Sequence, residues 1–386
     1  MAKLRFEFAT SNRIIFAPGI VSEVPNLAQG LGHRAFFLHN RSGSIYQFTE
    51  KLKLSGVNPL PYPVWGEPTV QTIQDALQEA REESCDLVIG LGGGSTLDTG
   101  KAISILLSNP GELYDYLEIV GSGRTFQNPS VPYIAIPTTA GTGSEVTRNA
   151  VISIPDQHLK VSLRSPYMLP RYAVIDPELT FSLPPDITAN TGLDALTQLI
   201  EPFVCNASTP ITDAICRDGI PRVARSLIAS YNDGQDALAR EDMSIASLFG
   251  GMALANARLG AVHGLASPIG GMIPAPHGAI CGRLLPIVLE ANLNALRKHQ
   301  PKSHAMNRYK EVACLLTGDP SATPDDGTEW IWNLCQAMKI LPLGKFGLKE
   351  NLFPEIVSQA QKASSMKGNP ISLTDSELTL ILEKAA

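Results

Sequence analysis

The stretch Cys85-Asp86-Leu87-Val88-Ile89-Gly90-Leu91-Gly92-Gly93-Gly94-Ser95-Thr96-Leu97-Asp98 decides the fold. Cys85 to Leu91 is an almost continuous apolar run, the pattern of a strand buried on both faces. The glycines let the chain turn tightly and approach a ligand closely. The residues that follow, through Lys101, Ala102 and Ile103, read as a helix. A strand, a glycine turn and a helix start, in that order, suit a pyrophosphate, because the helix N-terminus offers free N–H groups and the positive end of its dipole. A tight strand-to-helix turn is the plain alternative, although three consecutive glycines exceed what a turn needs. The spacing is neither G-x-G-x-x-G nor a Walker A sequence.

Upstream, Arg34 to His39 is an apolar run ended by the polar turn Asn40-Arg41-Ser42-Gly43. Phe48 to Leu54 is helix-like, and Pro61 to Val64 is extended. Val70 to Ala80 carries apolar residues at Val70, Ile73, Ala76, Leu77 and Ala80, the spacing of an amphipathic helix. Downstream, Tyr133 to Pro137 reads as another buried strand. Strands alternating with helices predict a doubly wound parallel sheet, an α/β fold. A second polar loop, Pro137-Thr138-Thr139-Ala140-Gly141-Thr142-Gly143-Ser144-Glu145, follows that strand. Loops at the carboxyl ends of adjacent strands converge on the ligand crevice of such a sheet. Its hydroxyls suit phosphate, ribose or nicotinamide, though Ser/Thr/Gly stretches are often only solvated turns. After Pro184-Pro185 β-branched runs almost vanish. Helix-like windows such as Ala195 to Val204, Ile211 to Ser230 and Glu241 to Leu259 predict an all-helical second domain. The expected division is 1–180, α/β, and 181–386, helical.

The chain has 386 residues, 44% of them hydrophobic, enough for two domains with sizeable cores. The net charge is -6 and no block of Lys or Arg stands out. Nucleic acid and anionic membrane surfaces are therefore not expected as partners. The cysteines Cys85, Cys205, Cys216, Cys281, Cys314 and Cys335 form no C-x-x-C pair, and four lie in apolar or helix-like stretches. Buried free thiols fit better than disulfides. The run Met1 to Glu7 lacks a signal-peptide pattern, and no stretch approaches the roughly 20 apolar residues of a membrane span. A cytoplasmic location is expected.

In the helical half, Asp194 and Gln198 lie four apart, on one face of a helix. His263, in Gly260-Ala261-Val262-His263-Gly264, and His277, in Pro274-Ala275-Pro276-His277-Gly278, sit among small residues. One carboxylate and two imidazoles could bind a divalent transition metal with an open position. The alternative is two structural histidines bonded to backbone. His33, His39, His158, His299 and His304 read as surface or loop residues.

The ordered set of motifs resembles the iron-containing (group III) alcohol dehydrogenase family over essentially the whole chain. The matching segments are Gly92-Gly93-Gly94-Ser95 with Asp98 and Lys101, Thr138 to Glu145, Asp194-Ala195-Leu196-Thr197, Ala261-Val262-His263-Gly264 and Pro276-His277-Gly278. Glu67-Pro68-Thr69 and Asn369-Pro370 are weaker echoes. The resemblance implies an N-terminal dinucleotide-binding α/β domain, a C-terminal helical metal and substrate domain, and an active site in the cleft between them. It implies a homodimer that interconverts a small alcohol and its aldehyde or ketone by hydride transfer to or from NAD(P). It assigns Asp194, Gln198, His263 and His277 to a divalent metal, iron or zinc, with Asp194, His263 and His277 as the catalytic set. It assigns Asn40, Gly93, Gly94, Ser95, Asp98, Thr138, Thr139, Thr142, Ser144, Val146 and Lys160 to the dinucleotide.

Two positions depart from the family pattern. Its usual third imidazole is Gln198 here, and the His common four residues after the next ligand is Ser267. A metal-free reductase of an oxo acid, resembling maleylacetate reductase, is thus a second reading, in which His263, His277 or Lys160 would polarise the carbonyl. A lyase resembling dehydroquinate synthase is a third, but it would need a Lys/Arg cluster near Asp194 to His277. Asn40 stands where NAD-using members often carry an Asp. Its neutrality, with Arg41 beside it, points to NADPH, unless Arg41 is only part of an exposed turn. Ala140, Phe203, Leu259 and Ile273 suggest an apolar site for a short aldehyde or alcohol.

Overall fold

The computed structural model describes residues 5–40, 45–118, 120–157 and 159–386, and the chain divides into two compact units. One comprises Thr10–Thr139 and Gly143–Thr180. Its strands are β1 (Arg13–Phe16), β2 (Arg34–His39), β3 (Asn58–Pro63), β4 (Leu87–Gly92), β5 (Tyr133–Pro137), β6 (Asn149–Ile154), β7 (Leu159–Arg164) and β8 (Tyr172–Ile175). Its helices are α1 (Val24–Ala28), α2 (Ile45–Leu54), α3 (Val70–Glu82), α4 (Gly94–Leu107) and α5 (Leu113–Tyr116). Six strands form one sheet in the order β1-β8-β5-β4-β2-β3, every neighbouring pair parallel.

Alternation along β2 shows why the sheet is apolar on both sides. Phe36 and Leu38 join one core with α3 and α4, through Ile73, Leu77, Leu97 and Ile103. Ala35 and Phe37 join the opposite core with α1 and α2, through Val24, Phe48 and Leu52. Helices on both faces are what a doubly wound parallel sheet requires. Pro59, Pro61 and Pro63 all lie in β3, which pairs only with β2, and an edge is where a strand tolerates missing N–H donors. The antiparallel hairpin β6–β7 is a feature the sequence reading does not find. Its strands alternate buried Ala150, Ile152 and Ile154 with outward residues, so no apolar run marks them.

The other unit takes Phe181–Ala386 together with residues 5–9 and Ala140–Thr142. Its helices are α6 (Pro185–Val204), α7 (Pro210–Asn232), α8 (Ala237–Asn256), α9 (Ala261–Met272), α10 (His277–His299), α11 (His304–Thr317), α12 (Pro324–Ala337), α13 (Phe353–Lys362) and α14 (Asp375–Ala385). They share one core that runs from Leu193 and Leu196 on α6 to Ile381 on α14. The expected helix over 241–259 stops at Asn256, and the chain bends by 96° before α9. That bend sets the N-terminus of α9 against α6. Among the described residues, α10 alone is by itself long and apolar enough to cross a bilayer, but 78% of its apolar window is buried inside the protein, as in a core helix.

Candidate active site

In the α/β unit, the carboxyl ends of β2, β4 and β5 bring several predicted cofactor residues together. Gly93 is the N-cap of α4, with no side chain capping the first turn. Gly93, Gly94 and Ser95 are half-exposed, so the free N–H groups of that turn are within reach of a ligand. A Cβ on Gly93 would come no closer than 3.4 Å to any neighbour, namely Thr139 Cγ2, and its φ of -77° suits any residue. Neither packing nor backbone therefore requires glycine there. Asn40 follows β2, and its Nδ2 donates to Thr138 Oγ1 at 3.5 Å, while its Oδ1 is buried without a partner. Arg41 and Ser42, like His158, lie outside the described residues.

Other predicted cofactor residues have partners within the protein. Asp98 accepts from Ser144 Oγ at 2.5 Å and from the Val151 N–H at 2.8 Å, and lies 3.0 Å from Lys101 Nζ. This ties the second loop and β6 to α4. Val146 is fully buried. Lys160 Nζ is 2.6 Å from Glu67 Oε2, so Glu67 of the weak echo balances it. Thr142 belongs, with Ala140 and Gly141, to the helical unit, where a Cβ on Gly141 would crowd the Thr191 backbone.

Glu145, buried near Lys101, has its carboxyl pushed up to about 7 by burial, with its own backbone hydrogen bond and Lys101 opposing too weakly. The folded value exceeds the ordinary 4.5, so the fold prefers the neutral acid and stability falls as pH rises through that window. Glu145→Gln stays neutral and should not share the fall. It is expected to gain about 3 kcal/mol over the parent between pH 4.5 and 8. Urea unfolding at the two values checks this; parallel stability profiles would contradict it.

In the helical unit, three helices bring ligand-type atoms to one point. Asp194 Oδ1 lies 3.5 Å from His263 Nε2 and 3.7 Å from His277 Nε2. Cys281, which the sequence reading treats only as a buried thiol, has its Sγ 3.5 Å from His277 Nε2 and 4.0 Å from His263 Nε2. One donor from each of these four residues lies within 4.8 Å of the others. Asp194 Oδ1 and Gln198 Oε1 are both buried without a hydrogen-bond partner. An orphaned carboxylate oxygen facing two imidazoles and a thiol fits a divalent cation.

Glu201 is the residue that sequence reasoning misses. Its Oε2 lies 2.7 Å from His263 Nδ1, and its Oε1 accepts the Val262 N–H at 2.7 Å. One buried carboxylate thus caps α9 and orients the imidazole so that Nε2 faces Asp194. Asn369, of the late Asn-Pro echo, accepts the Ala261 N–H and pairs amide-to-amide with Asn292 beneath the same helix end. The field here favours positive charge. Burial opposes a charged His263, but Cys281, Asp194 and Glu201 prevail and hold it well above its ordinary value. Cys281 foremost, against burial, raises His277. Burial would raise Asp194, yet His277, His263 and a hydrogen bond with Gln198 draw it below its usual range.

The comparisons with known proteins agree with this architecture. Residues 11–177 match the family described as iron-containing alcohol dehydrogenase, and residues 188–386 match the C-terminal part of the same family. The chain belongs to the iron-containing alcohol dehydrogenase family. It is 38% identical over 319 residues to alcohol dehydrogenase 4 of Saccharomyces cerevisiae, 82% of this chain and 80% of the yeast protein. It is 32% identical to 1,3-propanediol dehydrogenase of Klebsiella pneumoniae over the full length of both. The crystal structure of a 1,3-propanediol oxidoreductase superposes with a TM-score of 0.91 at 32% identity, covering 99% of this chain and all of the other. The chain is an oxidoreductase that interconverts an alcohol and its carbonyl compound by hydride transfer, as the sequence resemblance implies. The family uses NAD(P) and a metal.

Two sequence readings meet the structure less well. Phe203 is fully buried under Arg308 and Arg217, whose guanidinium carbons lie 4.6 and 5.2 Å from its ring centroid, so it lines no open pocket. For the lyase reading, four of the five arginines between Asp194 and His277 in the sequence are already engaged. Arg217 pairs with Glu311, Arg222 and Arg225 with Asp242, and Arg240 bonds Thr188 and two backbone carbonyls.

Proposed function

We propose that this alcohol dehydrogenase is metal-dependent, acts on short aldehydes and their alcohols, and prefers NADPH. The observation that carries the metal is the convergence of Asp194 Oδ1 with the Nε2 atoms of His263 and His277, while Glu201 holds His263 from behind. When bound, the cation would supply Lewis-acid polarisation of the substrate oxygen, and the nicotinamide the hydride.

The chain's own residues divide the remaining work. Asp194, His263 and His277 would hold the ion, and His277 is the half-exposed member of the three. Glu201 keeps the His263 Nδ1 proton, leaving the Nε2 lone pair for the ion. Gly93, Gly94 and Ser95 would seat the pyrophosphate on the first turn of α4, with Thr138 and Thr139 flanking the rest of the dinucleotide. Asp98 and Ser144 keep the second loop in place, and neutral Asn40 offers no repulsion to a 2′-phosphate.

The test is metal content of the purified protein, with NADPH and NADH oxidation on short aldehydes measured before and after chelation. About one ion per chain and activity lost to the chelator support the reading. Undiminished activity without metal would replace it with the oxo-acid reductase reading.

Gly93→Ala probes the pyrophosphate seat. The added Cβ makes only ordinary contact with Thr139 in the free protein, so the melting temperature should hold, whereas KM for the dinucleotide should rise at least about tenfold, or roughly 1.4 kcal/mol. An unchanged KM would move the pyrophosphate elsewhere.

A further inference from the structure

Cys281 follows His277 by one helical turn on α10, so both side chains leave the helix on one face. That face meets Asp194 of α6 and His263 of α9. Donors held about 2.0–2.3 Å from a tetrahedral ion stand roughly 3.3–3.6 Å apart. The separations here are 3.5 and 3.7 Å from the carboxylate oxygen to the two imidazoles, and 3.5 and 4.0 Å from the sulfur to the same two. Shifts of tenths of an ångström would complete the set. Gln198, which stands where the family usually has an imidazole, offers only a neutral amide oxygen, a weaker ligand for a soft divalent ion than a thiolate.

We propose that Cys281 is the fourth protein ligand, so that a thiolate from α10 replaces the imidazole missing at position 198 and the centre is Asp194–His263–His277–Cys281. The inference rests on the metal-dependent reading above. On binding, the Sγ–H bond breaks, an Sγ–metal bond forms and the proton passes to the buffer. Asp194 and Cys281 then carry two negative charges against a divalent ion between two neutral imidazoles. A thiolate is a soft ligand, so this centre favours zinc over iron(II) relative to a carboxylate–imidazole set.

The test loads the metal-stripped full chain with Co(II) and reads its absorption. The expected result is a near-ultraviolet sulfur-to-cobalt charge-transfer band beside the visible bands of the ion. Cys281→Ser should bind cobalt without that band, and its zinc affinity should fall at least about 100-fold, the upper end of what an outer-sphere partner is worth. Gln198→Leu should keep the band. Because the serine variant could fail to fold, Cys281→Asp serves as a second case. It should bind cobalt with no charge-transfer band and lower the zinc-to-iron(II) affinity ratio at least about tenfold. Cobalt bound to the parent chain without a charge-transfer band would overturn the thiolate and leave the metal reading standing. No cobalt bound to the parent at all would overturn both. A Cys281→Asp protein with the parent's metal ratio, or a Gln198→Leu protein without the band, would also overturn the proposal.

Discussion

Asp194→Ala is expected to lose its metal and at least about a thousandfold in kcat/KM, the equivalent of roughly 4 kcal/mol of Lewis-acid stabilisation. Asp194 is the carboxylate within ion-pair distance of both imidazole Nε2 atoms, and its Oδ1 has no other partner. Without it, two histidines whose rings stand 5.5 Å apart face each other, with only the thiol between them and the charge of an incoming ion. Metal analysis of the purified variant, alongside turnover, decides the matter. Asp194→Asn separates charge from shape: it keeps the volume and hydrogen-bonding capacity, and should recover folding but little of the metal. Unchanged turnover in the alanine variant would end the metal-dependent mechanism.

Gly278→Ala should be strongly damaging to the helical unit and to its candidate metal site. A Cβ there would lie 2.3 Å from the Asn190 carbonyl oxygen and 2.7 Å from its carbon. Both are backbone atoms of α6, so no side chain can swing aside. The strain can be relieved only by moving α10 away from α6, at a cost of about 1–3 kcal/mol or more. The displacement begins one residue after His277 and three before Cys281, so the donors on α10 move away from Asp194 even where the chain still folds. A lowered melting temperature together with metal affinity reduced at least about tenfold is expected, the loss seen when ligands are poorly held. A stable variant with the parent's affinity would show that the two helices separate freely here.

Much of this site was legible because its parts are local. Strand, glycine turn and helix start lie within fourteen consecutive residues, and the hydrophobic period alone places β4 and α4. Asp194 and Gln198 share a helix face by spacing. The same rule offered two further signals. Glu201 is seven residues, two turns, beyond Asp194, and Cys281 is one turn beyond His277. Both continue the stripe that carries a chosen ligand, but spacing cannot say whether a stripe meets a metal site or the core, and apolar neighbours made the core the ordinary reading.

By itself the sequence determined the alternation that makes a doubly wound sheet, the change to helices after the paired prolines and the residue types able to hold a dinucleotide and an ion. Only the tertiary structure decided which of those residues face one another. It ties Asp98 and Ser144 to each other, covers Phe203 with two arginines, sets Glu201 behind His263 and brings Cys281 within 3.5 Å of His277 Nε2. Secondary structure follows from interactions a few residues long, which a sequence displays directly. The candidate metal site draws its side chains from α6, α9 and α10, up to 87 positions apart between Asp194 and Cys281, and their meeting depends on how whole helices pack.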